Sequence, residues 1–431
     1  MRQDNTTLRE KPLVLSGWPC ILIATCLWIP PLYPASLGGQ VPLYVGNFIL
    51  AAWALSYLSK HRPIPLLSDE VTRLGSYFLG ALALSLLFAW WFSGAHIASF
   101  AMLRFGLLCH PFLVYWLIRS SPGLSSEDWL RAFLISLLWI GAVVSLYGIV
   151  DFCWPIPYPH PSAEQFIYLK RQALRRAQGI FWESSSFGNL CAFFLTLTTG
   201  MFLSLRNRLT PSQQWVLLSF IGIFVSALFL SYSRGSWMAA FVTLAVFLVL
   251  SPRIRAVELL LVATAMVLPI LILCWVSPDI VSNFFSYRVG TLGELPRNPN
   301  LATSGRWDSW SAILQYLTLH PWILGLGIGY KTLPYTTLFG RKIIADNGYL
   351  SLLIEGGLIG LGLFLLLNAA LLKSFYKARQ TGGPLRKFAG TFMLSFWCGE
   401  IVQLSTGDIF TFWRNLVVFF ALAAAIQNIE K

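Results

Sequence analysis

Charge is what this chain has least of. Only 11% of its 431 residues are Asp, Glu, Lys or Arg, against roughly 25% in an average soluble domain. Apolar residues make up 56%, more than a soluble core can absorb. Its seven cysteines (Cys20, Cys26, Cys109, Cys153, Cys191, Cys274 and Cys398) lie mostly inside apolar runs, without CxxC or His-paired spacing. Neither a disulfide framework nor a zinc site is indicated, and no Asp-rich metal motif stands elsewhere, so no metal or cofactor is implied. The net charge of +13 is scattered over loops rather than gathered on one domain, which argues against nucleic acid as a partner. The first apolar run, from about Leu13 to Pro31, contains proline and lacks a small-residue cleavage site. It reads as a retained first helix rather than a signal peptide.

What is present is a succession of apolar runs, each long enough to cross hydrocarbon at about 20 residues per crossing. They cover approximately 13–31, 41–59, 74–92, 98–118, 132–151, 187–205, 214–232, 236–250, 257–276, 347–372, 388–404 and 409–426. The expectation is an all-α polytopic membrane protein of about twelve spans, one integral membrane domain over residues 1–431. Basic residues near span ends favour the cytoplasm. With the N-terminus inside, alternate loops comply: Lys60, Arg62 and Arg73; Arg119 and Arg131; Arg206 and Arg208; Arg253 and Arg255; and Lys373 to Lys387. Both termini are then cytoplasmic.

Two long external loops, about 152–186 and about 277–346, break that rule. The first carries Lys170, Arg171, Arg175 and Arg176; the second carries Arg288, Arg297, Arg306, Lys331, Arg341 and Lys342. Long segments translocate despite their charge, so each residue read singly is a solvated cation. As a set they favour an anionic ligand. Arg104 and Arg414 fall inside spans four and twelve, near their outer ends. An intramembrane charge means a partner, a cavity or snorkelling to the interface.

Arg234 lies in the turn Ser231-Tyr232-Ser233-Arg234-Gly235-Ser236 between spans seven and eight. Its guanidinium, held at the membrane boundary, suits bidentate binding of phosphate oxygens; the competing reading is a polar hairpin turn. Arg306 opens a stretch with apolar residues at Trp307, Trp310, Ile313, Leu314 and Leu317, the spacing of an amphipathic helix lying along the interface. A cation in a first turn opposes the helix dipole. It is explained by an anion held between Arg306 and the free N–H groups, or by pairing with Asp308 or Glu294. His320 stands before proline at that helix end, where a structural hydrogen bond is the commoner role. Gly325, Gly327 and Gly329 follow at alternate positions, for a turn or a close backbone approach. Asp346 and Glu183 each precede a span; each is either a helix cap or a group that positions or deprotonates a hydroxyl. Glu355 lies about two and a half turns below Asp346, and no dyad follows from that spacing.

Taken together, Ser233-Arg234-Gly235, Gly305-Arg306-Trp307, His320-Pro321, Asp346-Asn347-Gly348-Tyr349-Leu350 and Glu355-Gly356 resemble, in order and spacing, the O-antigen ligase and polymerase superfamily of bacterial membrane glycosyltransferases. The resemblance is strongest over about residues 179–365. It implies a polyprenyl-diphosphate-linked oligosaccharide as substrate, membrane lipid around its tail, and a location in the bacterial inner membrane. A chain-length regulator and a flippase are its candidate protein partners. Arg234 and Arg306 inherit the role of binding the lipid diphosphate, and Asp346 or Glu183 that of assisting the acceptor hydroxyl. Lys170, Arg171, Arg175, Arg176, His320, Arg341, Asn347, Tyr349, Glu355, Arg104 and Arg414 are candidate contacts for glycan or headgroups. Ligases of the superfamily usually carry a histidine at the position of Asp346; the aspartate here favours a repeat-unit polymerase over a ligase that acts on lipid A core or protein. A transporter would place its charges near the midplane on interrupted helices, a pattern this chain does not follow.

Overall fold

A chain crossing hydrocarbon must satisfy its backbone N–H and C=O groups within the crossing, and a helix does so segment by segment. The computed structural model describes residues 17–32, 43–60, 69–121, 124–156, 166–169, 172–181, 183–251, 254–279, 282, 290, 296–303, 305–333 and 337–428, and helices dominate it. They are α1 (Trp18–Trp28), α2 (Val45–Lys60), α3 (Glu70–Ser93), α4 (Ala95–Ser120), α5 (Glu127–Cys153), α6 (Ser184–Leu205), α7 (Pro211–Leu230), α8 (Arg234–Leu250), α9 (Ala256–Val276), α10 (Arg306–Leu319), α11 (Gly348–Gln380), α12 (Pro384–Gln403) and α13 (Trp413–Asn428). Two small antiparallel hairpins accompany them, β1–β2 (Phe166–Leu169 with Gln172–Arg175) and β3–β4 (Thr337–Leu338 with Arg341–Lys342). Several helix starts are written locally: the Asp69 carboxylate accepts from Thr72 N at 2.8 Å, Ser126 Oγ from Trp129 N at 3.1 Å, and Thr210 with Gln213 forms a capping box.

Among the described residues seven helices are long and apolar enough to span a membrane, namely α3 to α7, α9 and α11; α1, α2 and α8 are apolar but shorter. The protein is thus an all-α polytopic membrane protein. Apolarity does not rank with depth in the bundle. The very apolar α9 buries only Glu258 and Val262, as expected of a peripheral helix facing lipid on one side and α7 on the other. By contrast α13 is buried from Trp413 to Asn428, packed on α4, α11 and α1, while α12 packs on α8 and α11. Wrapped by other helices, α12 and α13 can carry polar side chains that bond across the bundle. Asn189 Nδ2 on α6 donates to Glu400 Oε1 at 2.7 Å and Gln403 Oε1 at 3.0 Å on α12, and Asn415 Nδ2 on α13 donates to Asn189 Oδ1 at 2.8 Å. Such bonds contribute roughly 0.6 to 2 kcal/mol each in a membrane.

The segment ahead of α11 folds onto its first turns. Gly357 has φ 66°, which breaks α11 and frees two of its carbonyls. Those of Ile354 and Glu355 accept instead from Ile328 N at 2.9 Å and Gly329 N at 3.1 Å. The alternate glycines make this inlay sterically feasible: a Cβ on Gly327 would stand 2.3 Å from the Glu355 carbonyl carbon, and one on Gly357 would stand 2.3 Å from Gly325 O. Close approach is therefore their role. Above the inlay, α10 closes a small second core of Ile313, Leu317, Ile323, Ile328, Leu338 and Ile354. The helix begins where the sequence places it, but its buried face is narrower than the spacing implies. Trp307 and Leu314 are half exposed, as suits an interfacial helix, and Trp310 is tied by Nε1 to Ala345 O at 2.6 Å.

The inlay predicts that Gly327→Ala, with φ 77° and a backbone clash, loses about 3 kcal/mol. Gly80→Ala on α3, which meets nothing within 4 Å, should be neutral or slightly stabilising. Thermal unfolding of the purified protein in detergent compares them; equal melting temperatures would contradict the inlay.

Candidate active site

The starts of α6, α8, α10 and α11 and the turn between α12 and α13 meet at one end of the bundle. Asn347, rather than Asp346, caps α11: its Oδ1 accepts from Tyr349 N at 3.0 Å and Leu350 N at 3.1 Å, and its Nδ2 donates to Ser405 O at 3.1 Å. Asp346 is thereby released from capping. Its φ of 42° lies in the left-handed region, which costs a residue with a side chain about 1–2 kcal/mol. The carboxylate reaches α10, where Oδ2 accepts from Arg306 Nε at 3.1 Å.

Arg306 thus pairs with Asp346 and not with Asp308. Asp308 accepts from Asn300 Nδ2 at 2.5 Å, and Glu294 lies outside the described residues. Two of the N–H groups at the start of α10 are also taken. Trp307 N donates to Thr303 Oγ1 at 3.1 Å and Asp308 N to Asn300 Oδ1 at 3.5 Å. What Arg306 offers an anion is its guanidinium.

Arg234, the first residue of α8, stands within electrostatic range of Arg306. Its helix is capped by Ser233, whose Oγ accepts from Ser236 N at 3.4 Å. Arg176 is the common neighbour: Nε donates to Ser231 O at 2.9 Å, and the charges of Arg306, Glu183, Asp346 and Arg234 all act on it. Burial first, then repulsion by Arg306, draws its guanidinium down to about 10, still cationic at neutral pH. Among the described residues, three arginines and two carboxylates meet here.

Glu183 precedes α6 but makes no capping bond with its side chain. Thr411 Oγ1 donates to its Oε2 at 3.5 Å. Burial, then the negative charges of Asp346 and Asp408, push its carboxyl up to about 7, with Lys331 and Arg104 opposing. Of those neighbours, Lys331 and Asp408 form a second, deeper layer that sequence reasoning did not assign to the site. Lys331 Nζ pairs with Asp408 Oδ2, and Asp408 Oδ1 also accepts from Phe410 N at 3.1 Å. The signal was thin: Asp408 is the lone acid in a short turn, and Lys331 is one cation among many in a long loop. Glu355 closes the layer from below, with Oε1 accepting from Leu333 N at 3.1 Å.

The two ion pairs differ in kind. Arg306 and Asp346 keep 27% and 47% of their side-chain surface exposed, and a pair in that setting contributes about 0–1 kcal/mol. It is exchangeable. Lys331 and Asp408 keep only 3% and 13%; removing one partner of a buried pair costs about 3–5 kcal/mol. That pair is structural.

The remaining candidates are spread around the cluster. Arg175 bonds to Asp151 at the end of α5, Nη2 to Oδ1 at 3.1 Å. Arg414 is buried, donating from Nη1 to Ile180 O at 3.3 Å with its guanidinium 4.9 Å over the Tyr44 ring, so it anchors the segment carrying Arg176 and Glu183. Tyr349 donates its hydroxyl to Ile401 O at 2.8 Å. His320 packs at a tilt against Tyr316 with ring centroids 4.4 Å apart, at the far end of α10 from Arg306. Arg104 is exposed on α4 within electrostatic range of Glu183. Arg341 is exposed in β4. Lys170 and Arg171 lie outside the described residues.

Residues 216–365 match a protein-family model described as O-antigen ligase. No curated protein matches the chain. The matched stretch runs from α7 into α11 and includes Arg234, Arg306, Lys331, Asp346 and Glu355, while Arg176, Glu183 and Asp408 come from outside it. Over residues 216–365, then, this multi-pass membrane protein is similar to the family described as O-antigen ligase.

Proposed function

We propose that the protein polymerises polyprenyl-diphosphate-linked oligosaccharide repeat units on the periplasmic face of the bacterial inner membrane, transferring a glycan from one lipid carrier to another. The observation that carries this reading is the exchangeable Arg306–Asp346 pair, set beside Arg234 and Arg176. A diphosphate entering the cluster brings negative charge to its guanidinium groups. Bidentate contact with guanidinium groups is stronger than the exposed pair it displaces, and the exchange frees the Asp346 carboxylate next to the reacting sugar.

The chemistry then needs two things. An acceptor hydroxyl oxygen attacks the anomeric carbon and its proton passes to a carboxylate, Glu183 or Asp346. The bond from that carbon to the diphosphate oxygen breaks, and the polyprenyl diphosphate leaves with the electron pair. Arg234, Arg306 and Arg176 neutralise the charge that develops on it, as preorganised cations at a leaving group do. A flippase would deliver the donor and a chain-length regulator would act on the product. The second reading is a ligase, which the description of the matched family favours; it would move the finished glycan to lipid A core or a protein. The aspartate at 346 favours the polymerase.

Deleting the gene and running surface polysaccharide on a gel separates them: collapse of the ladder to a single repeat supports a polymerase, whereas intact polymer that never reaches its acceptor supports a ligase. Arg234→Ala and Arg306→Ala should each lower polymer formation by at least about 100-fold, and normal chain length in both would refute the site. Asp346→Ala should change stability by no more than about 1 kcal/mol, against about 3–5 kcal/mol for Lys331→Ala. Denaturant titration in detergent measures that contrast.

If Glu183 takes the proton, its carboxyl must be ionised, and it ionises as pH rises through about 7. Turnover of purified enzyme on lipid-linked repeats should then fall on the acidic side with a midpoint near 7. Glu183→Gln should abolish turnover; an unchanged acidic limb in that variant would assign the proton elsewhere.

A further inference from the structure

The opposite end of the bundle, away from the arginine cluster, holds a second concentration of positive charge. There α6 ends in a single 3-10 turn, Arg206–Arg208, close to the end of α8 and the start of α12. Between these helix ends lies an open cavity of about 230 Å³ lined by Arg208, Lys387, Ser204, Ser251, Leu205 and Phe388. At roughly 30 Å³ for each water-sized group, it can take a phosphate together with part of its glycerol.

Its chemistry points to an anion. Among the described residues the Arg208 guanidinium and the Lys387 ammonium form no ion pair or hydrogen bond, and no carboxylate lines the space. Two acids at this end of the bundle are already engaged. Glu258 accepts from Arg255 N at 3.1 Å and lies 3.9 Å from Arg206, while Glu127 accepts from Leu385 N at 3.2 Å. Ser204 and Ser251 add hydroxyls to the rim. The floor is apolar and closed, with Leu205 and Phe388 buried and the Phe388 ring 6.3 Å from that of Phe247.

Its position points to a lipid rather than a dissolved ion. The cavity opens where the helices end. Beside it the last turn of α8 exposes Leu248 and Val249, the latter at 81%, a surface for acyl chains. Basic pockets between the ends of membrane helices are a recurrent setting for anionic headgroups. We propose that this cavity binds the phosphate of an anionic phospholipid, with Arg208 and Lys387 as its cationic ligands and the acyl chains lying along α8. The site is separate from the arginine cluster and does not depend on the reaction assigned to it.

Native mass spectrometry of the full-length protein in detergent, titrated with phosphatidylglycerol, phosphatidylcholine or inorganic phosphate, tests the proposal. The wild type should retain phosphatidylglycerol and show no comparable adduct with the other two. Replacing both cations, Arg208→Ala with Lys387→Ala, should weaken phosphatidylglycerol binding about thirtyfold, and Arg208→Lys with Lys387→Arg should keep it. Equal retention by the alanine variant, or no preference over phosphatidylcholine, would overturn the site. Inorganic phosphate competing at the same concentration as the lipid would also overturn it, since the ligand would then be a free anion.

Discussion

Two carbonyls on α11 govern much of this architecture. At Gly357 the helix departs from helical geometry, and the oxygens of Ile354 and Glu355 would be left without donors in a region where water is scarce. An unpaired buried backbone group costs about 1–3 kcal/mol. The chain meets that demand from a distance, laying Ile328 and Gly329 into the break. The described residues from α10 to α11 are thereby tethered at their base. The second core assembles on that tether, Trp310 hangs from Ala345, and Arg306 arrives opposite Asp346. Without the inlay, nothing in the local sequence would hold a fourteen-residue amphipathic helix against the end of α11.

The site combines rigidity below with exchangeability above. Buried interactions, namely Lys331 with Asp408, Glu355 with the Leu333 amide, and Arg414 among Tyr44, Phe181 and Trp413, bind the loops to the bundle. Breaking them strands charge in a poorly solvated place. The upper layer of Arg176, Arg234, Arg306, Asp346 and Glu183 is more accessible, and the Arg306–Asp346 pair in it is weak enough to yield to a ligand of higher charge. That division by magnitude separates the residues that shape the site from those available to a substrate.

Several parts of this arrangement were legible in the sequence for plain physical reasons. Length and apolarity mark membrane helices because hydrocarbon admits few alternatives. Arg234 and Arg306 stand out because basic residues are uncommon at those boundaries, and the start of α10 follows from its apolar spacing. Other features were not legible. The exposed Trp307 and Leu314 match the periodicity of buried residues, since burial depends on which neighbour covers a helix. Asp346 and Asn347 are both good capping residues, and only the backbone conformation at 346 shows which one caps. Lys331 and Asp408 are 77 positions apart, with no local pattern joining them.

The sequence by itself determined the class of protein and the approximate extents of its apolar helices, because solvation energy acts residue by residue. Tertiary structure alone decided which charges meet. An ion pair depends on distance, and distance here is set by the docking of the Gly325–Gly329 segment into α11 and by the anchoring of the Arg176–Glu183 segment on α13. Both are contacts between stretches far apart in the chain, which no local composition encodes.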